Sequence, residues 1–199
     1  MQDNQHSLKL PQDINMQLNN IKATLRFEKP FFKKRRTNEK IIIKHDSATL
    51  VFYTHSPHLC NLTGIKSQER VQRIIKTLES EFDNPCQGIK IDSCLVTQKS
   101  LYPVRLEKIK AALPSITPKY RAEFVVELST GETQCLKFIH PLFTLLSACY
   151  VKPHDVYSDY PTINIFHTGT FQLIGGHSFE QLHEAAEIAQ RLTDACRKE

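Results

Sequence analysis

Apolar and polar residues alternate along several short stretches of the chain, and three others carry the wider apolar spacing of a helix. Residues 16–26 (MQLNNIKATLR), 40–44 (KIIIK) and 48–53 read as strands, and an extended hairpin tip (THSPH, 54–58) leads into another strand at 59–63. Ser67 suits a helix cap. Beyond it Val71, Ile74, Ile75, Leu78 and Phe82 form one apolar stripe, which predicts a helix lying on a sheet. Asp83-Asn84-Pro85 breaks the chain. A strand at 88–96, a helix in 104–113 (VRLEKIKAAL), a hairpin of 121–128 and 133–139, and a strand at 144–151 follow, then a polar loop at 152–161. Ser178 with Gln181 has capping-box spacing, and the closing helix turns Leu182, Ala185, Ala186, Ala189 and Leu192 inward.

One phrase occurs twice. LVFYTHSPHLCNLTGIKS (50–67) and INIFHTGTFQLIGGHS (163–178) each run from an apolar strand with an aromatic, through a turn and a second strand, to Gly-x-x-Ser and a helix. Such self-similarity predicts a pseudo-symmetric molecule. The expected class is α+β: a flexible tail at 1–15, a first repeat at 16–87 and a second at 88–199, with insertions around 111–140 and 152–161.

Composition narrows the picture. A length of 199 residues accommodates one large domain or two small ones sharing a sheet. No apolar run nears the roughly 18–20 residues of a membrane span, and the polar start does not read as a signal peptide, so an intracellular protein with no membrane partner is expected. The six cysteines form no CxxC pair, which favours reduced thiols over disulfides. The net charge of +5 comes from the first half: residues 1–87 hold 14 Lys/Arg against 9 Asp/Glu, and residues 88–199 hold 12 of each. Such asymmetry suits a polyanionic partner.

His55, His58 and Cys60 are metal-ligand types without a fourth ligand at a recognisable spacing, so no metal site is assigned. Lys33, Lys34, Arg35 and Arg36 form a basic cluster that reads as a phosphate-contacting patch, a nuclear localisation signal or a solvated loop. The chain has no Gly-rich phosphate loop, HExxH, nucleophile elbow or paired-carboxylate motif, so neither an enzyme nor a cofactor is expected.

Four segments share a resemblance. QLNNIKATL (17–25), Ser93-Cys94 with YPVRLE (102–107), Leu142-Phe143 with YVKP (150–153), and the hairpins at 62–67 and 165–175 resemble, in this order, segments of the TATA-binding protein family. The resemblance implies a saddle built from two repeats, one curved antiparallel sheet with helices on its convex side. It also implies a transcription initiation factor whose concave face widens and bends an A·T-rich minor groove with wedged phenylalanines. Implied partners are double-stranded DNA and other initiation factors or RNA polymerase. The implied setting is the nucleus, or a cytoplasmic replication site or virion if the source is a large DNA virus.

Carried over by position, Phe143 and Phe166 are the second-repeat wedges, and Phe52 or Tyr53 takes the matching first-repeat place. Asn38 stands where the family has its other first-repeat wedge. Asn20 and Thr63 match the central Asn and Thr, whose second-repeat counterparts are Ile89 and Ile174. Lys22 replaces an apolar face residue, Asn61 and Gln172 replace two others, and Leu50, Ile91 and Ile163 stay apolar; Lys44 adds charge. These departures point to relaxed A·T-rich binding rather than strict TATA reading. The alternative is a protein-interaction scaffold that kept the fold and lost specific DNA binding.

Overall fold

The computed structural model describes residues 16–33, 39–45, 47–100, 102–127, 133–136 and 146–198. Contacts divide the chain into two compact units, one holding Leu18–Leu95 and the other Val96–Glu199. The division falls inside the strand Cys86–Gln98.

The first unit comprises strands β1 (Gln17–Phe27), β2 (Lys40–His45), β3 (Ala48–Tyr53) and β4 (Leu59–Ile65), helix α1 (Gln68–Phe82) and most of β5 (Cys86–Gln98). Its strands lie in the order β2-β3-β4-β1-β5. Pairing is antiparallel from β2 to β3, β3 to β4 and β4 to β1. Alternation decides the core. Ala48, Leu50 and Phe52 of β3, Cys60 and Leu62 of β4, and Ala23 and Leu25 of β1 are almost completely buried, as are Val71, Ile74, Ile75 and Leu78 of α1. Antiparallel partners point to the same side, so Leu50 faces with Leu62 and Phe52 with Cys60. Phe82, last in the helical stripe, is 46% exposed at the helix end.

The second unit comprises α2 (Leu106–Ile116), β6 (Tyr120–Glu127), β7 (Thr133–Leu136), β8 (Leu146–Pro153), β9 (Thr162–Phe166), β10 (Phe171–Gly175) and α3 (Phe179–Ala195). The strands run β10-β9-β8-β6-β7, all antiparallel. α2 packs on β6 and β8, and α3 on β9 and β10. Val151, Ile163 and Leu173 form one buried row, Cys149, Ile165 and Phe171 the next. One turn of 3-10 helix (Asp155–Tyr157) lies in the loop expected to be irregular.

The two copies of the repeated phrase end alike. Gly64 and Gly175 both hold positive φ, 82° and 96°. Three residues later Ser67 and Ser178 cap α1 and α3, their hydroxyls accepting the Arg70 and Gln181 N–H groups. Gln181 completes the cap by accepting from the His177 N–H, one residue earlier than the usual capping box.

Candidate nucleic-acid interface

In both units the helices cover one sheet face, and residues of opposite parity populate the other. On the first unit this open face carries Lys22 and Thr24 of β1, Thr49, Val51 and Tyr53 of β3, and Asn61 and Thr63 of β4, all half-buried or exposed. Hydrogen bonds tie it together. Asn20 Oδ1 accepts the Gly64 N–H at 2.8 Å, and its Nδ2 lies 3.5 Å from the Thr63 hydroxyl. The Thr24 hydroxyl donates to Asp92 Oδ2 at 2.7 Å and lies 3.1 Å from Asn61 Oδ1. Lys44 is exposed and pairs with Thr49, itself opposite Thr63.

In the second unit Glu123, Tyr150, Asn164 and Gln172 line up across β6, β8, β9 and β10. Lys152 pairs with Glu123 at 2.5 Å, with Arg121 at 3.5 Å from the same carboxylate. Asn164 is buried, and its Oδ1 has no hydrogen-bond partner among the described residues. Phe166, half-buried at the end of β9, is opposite Ala148, and its N–H closes the β9–β10 hairpin on the Thr170 carbonyl.

The expected interface residues therefore divide. Asn20, Lys22, Lys44, Tyr53, Thr63 and Phe166 have the parity of the open face. Leu50 and Phe52 do not: they are 2% and 3% exposed and point under the sheet toward the helix layer. The reason is the phase of β3. Phe52 joins a cluster in which Phe31 meets Phe27, Phe52 and Phe82 edge-on at 4.8, 4.7 and 5.2 Å. Of Phe52 and Tyr53, it is Tyr53 that has the parity of the open face. Ile163 is completely buried between Val151 and Leu173, so it too belongs to the core. Ile91 is 9% exposed, and its neighbour Asp92 is the residue that reaches Thr24. Ile89 and Ile174, in place of the family's second-repeat Asn and Thr, are 37% and 44% exposed. Lys33 is exposed; Lys34, Arg35, Arg36, Asn38 and Phe143 lie outside the described residues.

Sequence reasoning missed Thr24, Asp92, Glu123 and Asn164. Strict alternation from Leu25 marks Thr24 as open-faced, but Asp92 becomes recognisable only once its side chain is seen to meet Thr24.

Burial pushes the Cys60 and Cys149 thiols up to about 12 and Cys94 up to about 11, so they are neutral at physiological pH. Cys60 turns into the core, away from exposed His55 and His58, so the three do not converge on one ion. Among the described residues no helix is long and apolar enough to cross a membrane.

Comparison by fold finds the TATA-binding protein (TBP) of Methanococcus jannaschii, at a TM-score of 0.56 and 14% identity, covering 90% of this chain and 98% of that one. No protein-family profile matches the sequence, and no curated protein matches it. The likeness shows the fold: the chain has the α+β architecture of a TBP.

Proposed function

We propose that the protein is a TBP-like, non-enzymatic DNA-binding factor of transcription initiation, which engages A·T-rich duplex through the minor groove with its open sheet faces. One observation carries the reading. The TBP fold extends over 90% of the chain, and the face left free of helices in each unit holds the side chains the family resemblance selects: Asn20, Lys22, Tyr53 and Thr63 in one, Phe166 in the other.

The chemistry is coherent. An A·T minor groove shows acceptors only, which the Asn20 amide, the Thr63 hydroxyl and Lys22 can meet as donors. Tyr53 and Phe166 supply flat rings at hairpin ends, where a wedge opens a base step at a cost of a few kcal/mol per step. Phe143 joins the set on the resemblance alone, and the Lys34, Arg35 and Arg36 cluster on its charge. The helix-bearing sides are left for other initiation factors.

Mobility shifts on A·T-rich and G·C-rich duplexes at two salt concentrations test the proposal. It expects a shift that favours A·T-rich duplex and weakens steeply with salt. No shift even at low salt defeats it.

A specific feature favours a second reading, a protein-interaction scaffold. The open faces also carry the carboxylates of Asp92 and Glu123, and a carboxylate on a surface that meets DNA opposes the phosphates. Glu123 is compensated by Lys152 and Arg121, whereas Asp92 accepts the neutral Thr24 hydroxyl.

A further inference from the structure

We infer that the first unit contains a second DNA contact, a phosphate-binding groove at the hairpin end of its open face, built by the segment that follows β1 and by the β3–β4 hairpin tip. The inference rests on the DNA-binding reading above and adds a site to it.

The groove has a volume of about 620 Å³ and lies between residues 26–33 and the β3–β4 hairpin tip. Its walls carry Arg26, Lys33, His55 and His58, against the single acid Glu28. Arginine and lysine are phosphate binders, and an imidazole offers an N–H donor in either protonation state. All four side chains are exposed.

The walls are fixed by backbone bonds. The Phe27 N–H donates to the His58 carbonyl and the Phe31 N–H to the Pro57 carbonyl, each at 2.9 Å, so the basic segment is stitched to the hairpin. The Phe31 ring, locked among Phe27, Phe52 and Phe82, anchors it from below. A cation held on a pinned backbone loses less freedom on meeting a phosphate than one on a free tail.

Position selects the occupant. Arg26 pairs with Leu59 across β1 and β4 on the open face, and the His55 ring lies 5.4 Å from Tyr53. A duplex lying on that face and leaving past Tyr53 brings its backbone over the groove. Lys29, in the same segment, is instead bound to the Asp83 side chain at 3.0 Å and to its carbonyl, which makes it an internal control.

The test is fluorescence anisotropy of a labelled A·T-rich duplex of about 20 base pairs, at salt from about 50 to 300 mM, with the double variant Arg26→Gln/Lys33→Gln. The charge-matched control is Lys29→Gln/Lys76→Gln, both exposed positions outside the groove. The groove variant is expected to lose at least threefold in affinity at about 100 mM salt, and its log–log salt slope to flatten by roughly 2; the control should stay within about 1.5-fold of wild type. Unchanged thermal melting keeps the comparison one of binding. Equal losses in both variants overturn the groove while leaving the DNA reading intact. Failure of the wild-type protein to bind duplex at the lowest salt overturns both.

Discussion

Phe31 sets its ring edge-on against Phe52, centroids 4.7 Å apart and planes 68° from parallel. The contact joins the segment after β1 to the strand β3, and it decides which of two adjacent aromatics belongs to the core. Phe52→Ala should therefore cost about 3–5 kcal/mol in urea unfolding, the range for emptying a buried phenylalanine site. Tyr53→Ala should cost under about 1 kcal/mol, as expected away from the core, and instead weaken duplex binding. A reversed pattern would show that β3 has the other phase.

Asp92 accepts the Thr24 hydroxyl on the open face of the first unit. Asp92→Asn keeps an acceptor for that bond and removes the charge. If DNA lies on this face, duplex affinity should rise threefold or more at low salt, and the gain should shrink as the Debye length falls below about 10 Å. Unchanged affinity would show that the duplex does not lie on this face.

Two glycines are demanded by backbone rather than by composition. Gly64 and Gly169 hold φ of 82° and 83°, and an added Cβ would run into the Ser47 and Tyr102 carbonyl oxygens. Alanine at either should cost more than about 2 kcal/mol, combining left-handed strain with a clash against backbone. At Gly88 an added Cβ meets nothing within 4 Å, so Gly88→Ala should lie within about 0.5 kcal/mol of wild type. Urea midpoints of the three variants check this.

The buried thiols make a prediction about alkaline stability. Burial raises Cys60 and Cys149 to about 12 and Cys94 to about 11, so the fold holds these protons more tightly than the unfolded chain does. Their stabilising contribution is complete below the ordinary thiol range near about 8.5 and is lost as pH rises toward the folded values. Unfolding midpoints should fall progressively above about pH 9, and Cys149→Ala should lose less over that interval than wild type. At pH 8, thiol labelling mapped by mass spectrometry should modify half-exposed Cys86 well before Cys60, Cys94 or Cys149.

Local signals made much of the fold legible. Ser67 and Ser178, each three residues beyond a glycine of positive φ, mark the starts of α1 and α3 because capping depends on neighbours in sequence. The stripe Val71, Ile74, Ile75 and Leu78 reads directly as buried, whereas Phe82 escapes burial because the helix ends there. What stayed hidden was phase. Alternation along β3 gives a period of two but not which parity faces the helix, and the enlarged THSPH turn breaks the register that would transfer it from the family. Phe31 supplies the missing information through a contact between residues 21 positions apart. The open-face acids were obscured similarly: Asp92 and Thr24 meet over 68 positions, and no local pattern announces it.

The most direct test asks which face meets the duplex. A photoreactive benzoylphenylalanine in place of Tyr53, on the open face, is compared with the same group in place of Gln72, exposed on α1. Irradiation with A·T-rich duplex should cross-link DNA from position 53 and not from position 72. Cross-linking from position 72 alone, or from neither while the duplex is bound, would contradict the account.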